Sequence, residues 1–148
     1  MRARALALTL FAVACGRAPE FVFTHHPEGV IIPEAKAPSF HYSRKPTVFF
    51  TPTPIEVERM ESQLGAFLKA SPDAAPDLYK RAPTYRRRYL GIVVDGQRRI
   101  EIEAFCDVPD TLSLSQHLVV FDGGDCVLYV EYDLTRGVFL SFATNGYG

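Results

Sequence analysis

Asp95-Gly96 separates two runs of strand-forming residues, and no other dipeptide constrains the fold of this chain as much. A two-residue type I′ turn needs positive φ at both central positions, and Asp-Gly tolerates that. With these two as the loop, Val94 faces Gln97. Pairing then continues as Ile92–Arg99, Leu90–Glu101 and Arg88–Glu103. Strands are predicted over 85–94 and 98–106. Arg99-Ile100-Glu101-Ile102-Glu103 alternates strictly, the mark of a half-buried strand. A slip of one residue would exchange the two faces, so turn and pattern pin one register. Tyr89, Gly91, Val93, Ile100, Ile102, Ala104 and Cys106 share the inward face. Arg86, Arg88 and Arg99 share the other with Glu101 and Glu103.

A second hairpin is predicted from strands 126–133 and 138–144 around Leu134-Thr135-Arg136-Gly137. Cys126, Leu128 and Val130 then share a face. Cys106 and Cys126 each fall in the inward set of their own strand, which favours a buried bridge between them. Closing a loop of that length contributes roughly 3 kcal/mol in the chain-entropy model. Residues 118–122 form a candidate short strand before Gly123-Gly124.

One helix precedes the sheet. Thr53-Pro54-Ile55-Glu56 carries an N-cap residue, proline at the first helical position and glutamate at the capping-box position. Ile55, Met60, Leu64, Phe67 and Leu68 approximate one apolar stripe, and Pro72 ends the pattern, so the helix is expected over 54–70. Such a stripe is core packing. The expected fold is α+β: one N-terminal helix packed on a four- to five-stranded antiparallel meander sheet.

Residues 16–52 read as a tether and lead-in. Pro19, Pro27, Pro33, Pro38, Pro46 and Pro52 interrupt helix and central strand alike. Yet Phe21-Val22-Phe23, Val30-Ile31-Ile32 and Val48-Phe49-Phe50 are too apolar for a free linker. Part of this stretch is expected to lie against the domain, with 48–50 as an edge strand.

The N-terminus has the layout of an export signal. Arg2 and Arg4 form a basic start, and residues 5–14 (ALALTLFAVA) are apolar up to Cys15-Gly16. Ten residues are too few to span a bilayer, which takes about 20. Cys15-Gly16 resembles the lipobox of bacterial lipoproteins, whose cysteine is acylated and becomes the mature N-terminus. The aliphatic residue usual three positions earlier is Ala12 here. Ala12-Val13-Ala14 also fits ordinary signal peptidase, which would release a soluble exported chain. The expected organisation is a signal peptide over 1–14, a lipid-anchored, proline-rich tether and lead-in over 15–52, and an α+β domain over 53–148.

Three cysteines in an exported chain leave one without an intramolecular partner. With lipid on Cys15, Cys106 and Cys126 remain to pair in an oxidising compartment; any other pairing leaves a free thiol. A formal charge of −1 argues against non-specific nucleic-acid binding, which needs dense positive charge.

Tyr89-Leu90-Gly91, Ala104-Phe105-Cys106, Phe121-Asp122-Gly123-Gly124-Asp125-Cys126, the strand 127–132 and the ending Ala143-Thr144-Asn145-Gly146 resemble an uncharacterised family of small bacterial envelope lipoproteins. The resemblance covers about residues 53–148. It implies the fold and the cysteine pair, and no catalytic residue. The helix followed by sheet is also cystatin-like in outline. The hairpin Gly91-Ile92-Val93-Val94-Asp95-Gly96 lacks the glutamine of the Q-x-V-x-G loop that cystatins insert into proteases, so inhibition rests on fold analogy alone.

Each candidate chemistry has a bland counterpart. His25, His26 and His41 are metal-ligand types in the tether, where solvated side chains are expected instead; His117 reads as a surface residue. Asp107, Asp110, Asp122 and Asp125 flank the cysteines, where a calcium site or a hydrolytic carboxylate pair competes with ordinary turn chemistry. Lys80, Arg81, Arg86, Arg87, Arg88, Arg98 and Arg99 form a basic stretch, expected as a solvated, salt-bridged sheet face. Its functional counterpart is contact by Arg86, Arg87, Arg88 and Arg99 with an anionic partner: lipid headgroups, lipopolysaccharide or acidic polymer. No nucleotide, zinc-protease or serine-hydrolase motif is present, and Ser39, Ser43 and Ser62 have no recognisable base. The expectation is a non-enzymatic binding or structural domain at the cell envelope, most simply at the outer membrane, with no cofactor or metal. Its partners would be the membrane, through the Cys15 anchor, and an envelope protein or anionic polymer. The competing expectation is a secreted or periplasmic inhibitor or hydrolase using the acidic loops.

Overall fold

The computed structural model describes residues 29–40, 44–108, 113–116, 120 and 123–145. Its centre is the predicted hairpin. Strand β3 (Arg86–Val94) pairs with β4 (Gln97–Phe105) in the register read from the sequence, Val94 opposite Gln97 through Arg88 opposite Glu103. Asp95 and Gly96 have φ of 51° and 74°, as a type I′ turn requires. β5 (Val127–Asp133) and β6 (Val138–Thr144) continue the antiparallel run, with a register shift between Glu131 and Tyr132.

The sheet has six strands and is mixed, which corrects the four- to five-stranded antiparallel meander. The extra pairing lies in the lead-in. β1 (Gly29–Ile31) runs parallel to β3 along Arg87–Tyr89, and β2 (Val48–Phe50) runs antiparallel along Gly91–Val93. Two three-residue strands thus share one edge of β3 and meet near its middle. Gly91 is where they leave no room: an added Cβ would lie 2.2 Å from the Phe50 carbonyl oxygen.

Helix α1 (Pro54–Ala70) follows β2, so it is not N-terminal to the whole sheet. Its capping box forms as expected. The Glu56 N–H donates to Thr53 Oγ1 at 3.3 Å, and the Thr53 N–H donates to Glu56 Oε2 at 2.8 Å. The buried stripe is Val57, Met60, Leu64 and Leu68. Ile55, placed in the stripe by sequence, is 77% exposed; it lies two residues, about 200°, from Val57 around the helix. A one-turn helix, α2 (Leu78–Arg81), packs beside α1.

Both faces of the sheet are covered. On one, the α1 stripe packs on Tyr89, Ile100, Ile102, Leu128, Val130 and Tyr132 in a continuous apolar core. On the other, Val30, Ile32, Ala37 and Phe40 of the lead-in pack with Leu114 against Leu90, Phe105 and Val127. No helix among the described residues is long and apolar enough to cross a membrane.

Candidate functional site

The basic stretch falls on that second, covered face and on the floor beneath α1. Arg87, Arg88 and Arg99 are 2%, 1% and 7% exposed, and Arg86 is buried beside them. This corrects the solvated cationic face expected for Arg86, Arg87, Arg88 and Arg99. The physical reason is coverage: residues 30–40 with Val108, Leu114 and Val120 pack over the second face, and α1 lies over Arg87.

Arg88 is the hub. Its guanidinium pairs with Glu103, directly opposite in the register, and donates to the Gln116 carbonyl oxygen at 2.7 Å. It lies 4.6 Å from the Phe40 ring centre and 5.3 Å from that of Phe105, within cation–π range. Glu101 and Glu131 face each other across β4 and β5, a repulsive placement for like charges. Arg99 offsets it by donating to Glu131 at 2.6 Å, with Arg44 at 3.5 Å from the same carboxylate. Arg86 donates to the Val108 carbonyl oxygen at 3.0 Å and so ties down the chain beyond Cys106.

Arg98 and Arg81 are also engaged, and Lys80 is exposed beside the Tyr79 ring. Arg98 pairs with Glu56 at 3.0 Å and lies over the Phe50 ring. Burial disfavours the Glu56 anion, but hydrogen bonds from Thr53 and the Arg98 charge outweigh it and hold the carboxyl below its ordinary range. Arg81 pairs with Asp125 and Asp77, which raises its affinity for its proton and lowers the pKa of Asp77.

A cleft of about 230 Å³ opens between α1 and α2, with Arg87 and Glu61 on its floor and Leu64, Leu68, Tyr79 and Pro83 among its walls. Glu61 pairs with Arg87 and accepts a 2.8 Å hydrogen bond from the Tyr89 hydroxyl. Burial first, and the Glu61 charge second, push the Tyr89 pKa well above its ordinary value. The hydroxyl therefore stays a neutral donor, and the trio holds α1 to β3.

Cys106 and Cys126 form the disulfide, with Cα atoms 4.8 Å apart. It is not buried as alternation suggested. Cys106 lies one residue past the end of β4 and is exposed, and Cys126 is half-exposed. The bridge staples the sheet end, where the Cys106 N–H also donates to the Cys126 carbonyl oxygen at 2.9 Å. Of the four aspartates, Asp107 is exposed and Asp125 is turned onto Arg81. Asp110, Asp122, the four histidines and Cys15 lie outside the described residues, as does the candidate strand 118–122 apart from Val120, which is in no strand. Among the described residues no three His, Cys, Asp or Glu side chains gather as a metal site.

Sequence reasoning missed Glu61 and Phe40. Glu61 lies on the helix flank, where a solvated carboxylate is the default. Phe40 sits in a segment without periodicity. No family model matches the chain, and no curated protein or solved structure matches it.

Proposed function

We propose that the chain is a bacterial cell-envelope lipoprotein, anchored through acylated Cys15 and carrying a small non-enzymatic binding or structural domain. One observation carries the reading: a basic start and a ten-residue apolar run end at Cys15, while the other two cysteines pair with each other. A disulfide suits an exported domain, and acylation gives the odd cysteine a use. The motifs from Tyr89-Leu90-Gly91 to Asn145-Gly146 support kinship with uncharacterised envelope lipoproteins of the same outline. The prolines between Cys15 and β2 suit a spacer that partly docks on its domain.

The binding role is not placed on the arginine cluster, because its guanidinium groups are turned onto internal partners. Intact-mass measurement of the N-terminal peptide, from protein exported by its own host, tests the anchor. A diacylglycerol-modified Cys15 is expected. An unmodified Cys15 at the mature N-terminus contradicts anchoring and leaves a soluble exported protein.

A further inference from the structure

We propose that the outer edge of β6 pairs with β6 of a second copy of this chain, closing a two-fold dimer around one continuous sheet. β6 ends the strand order, and among the described residues nothing pairs with its outer side. An edge strand of this length is normally blunted by charge, proline, a bulge or cover; here a bulge at Leu140 disturbs only the end toward the turn. β6 is Val138-Phe139-Leu140-Ser141-Phe142-Ala143-Thr144, with neither a charged residue nor a proline. Val138, Ser141 and Ala143 are exposed, and Phe139, Leu140 and Phe142 are half-exposed. The apolar strip continues onto α1, where Phe67 stacks on Phe139 with ring centres 4.5 Å apart.

The second copy is favoured over another occupant by charge and by closure. An uncharged strand meets no repulsion from its own antiparallel image. Along the chain the nearest charge is Arg136, carried to opposite ends of the paired strands, on the order of 30 Å apart and far beyond the screening length. Across the ladder, Glu131 opposite Ser141 is neutralised by Arg99 and Arg44. The register shift at Glu131/Tyr132 lies toward the turn, so Ser141 to Thr144 form the regular part of the edge. Self-pairing there consumes the free edge of both copies. The opposite edge is blunted by β1 and β2, three residues each, with Pro33, Pro46 and Pro52 close by. Growth therefore stops at two. Tethering through Cys15 would raise the local concentration of copies; that clause alone rests on the anchoring proposed above.

The test uses the exported chain with Cys15→Ser, which carries no lipid, so its failure leaves anchoring untouched. Sedimentation equilibrium across a concentration series should show monomer and dimer, with little dependence on salt. Ala143→Lys should leave a folded monomer by far-ultraviolet circular dichroism. Mixing it with the Ala143→Glu chain should restore a dimer, which a misfolded variant would not do. A parent chain that is monomeric at every concentration overturns the proposal. So does growth past the dimer, or a lysine variant that dimerises as well as the parent.

Discussion

The two faces of the sheet are closed by different physics. Under α1, the contact is mainly apolar, with Val57, Met60, Leu64 and Leu68 on Ile100, Ile102 and Val130, and the Glu61–Arg87 pair lies at its flank. Under the lead-in, an apolar patch of Leu90, Phe105, Phe40 and Ile32 adjoins buried ion pairs, Arg88 with Glu103 and Arg99 with Glu131. Apolar burial stabilises by area and is forgiving of small changes. A buried ion pair contributes little net stability, but the loss of one partner leaves an uncompensated charge. The first face should therefore respond to volume and the second to charge balance. Alternating Arg-Ile-Glu-Ile-Glu shows which residues share a face; it does not show whether that face meets water.

The sharpest way to break the contrast is to remove one charge. Glu103→Gln should cost about 3–5 kcal/mol in urea unfolding, because Arg88 is left buried without its carboxylate. Replacing both residues by leucine and methionine should restore most of that loss. Equal additive losses would show that volume, not charge, governs this face. On the apolar face, Met60→Ala should cost about 2–5 kcal/mol through lost burial and a residual cavity. A loss below 1 kcal/mol would mean the helix repacks freely.

The disulfide holds the loop whose Val108 and Gln116 carbonyls receive Arg86 and Arg88. Cys106→Ser should cost roughly 3 kcal/mol, as expected for a closed loop of this size. Hydrogen exchange should then rise first around Arg88, and not under α1. Uniform loss of protection would contradict a local role.

The smallest effect concerns the helix cap. Thr53→Ala should cost about 1 kcal/mol. Because the Glu56 pKa is lowered in the folded chain, its contribution is present above the unfolded carboxylate pKa and is lost as pH falls through the folded value. Glu56→Gln should flatten that acid limb. An unchanged pH profile would remove Glu56 from the account.

The elements legible in the sequence are those written in local signals. Asp95-Gly96 specified the register, Thr53 and Glu56 the start of α1, and Val48-Phe49-Phe50 the edge strand. β1 was not legible as a parallel strand, since three apolar residues pair with β3 more than fifty positions away without a turn to announce it. α2 is a single turn and carries no periodicity. The disulfide partners were legible, but their burial was not, because alternation was carried one residue beyond the hydrogen-bonded strand. The arginine cluster was misplaced for the same reason that β1 was missed. Cover of a sheet face by a distant, irregular segment has no local signature.

Arginine-selective modification of the native chain, mapped residue by residue by mass spectrometry, tests the covered charged face most directly. Arg44 and Arg98, with side chains 58% and 50% exposed, should react quickly, and Arg87, Arg88 and Arg99 should stay protected until the chain unfolds. Equal reaction of all five in the folded protein would put the cluster at the surface and contradict the account.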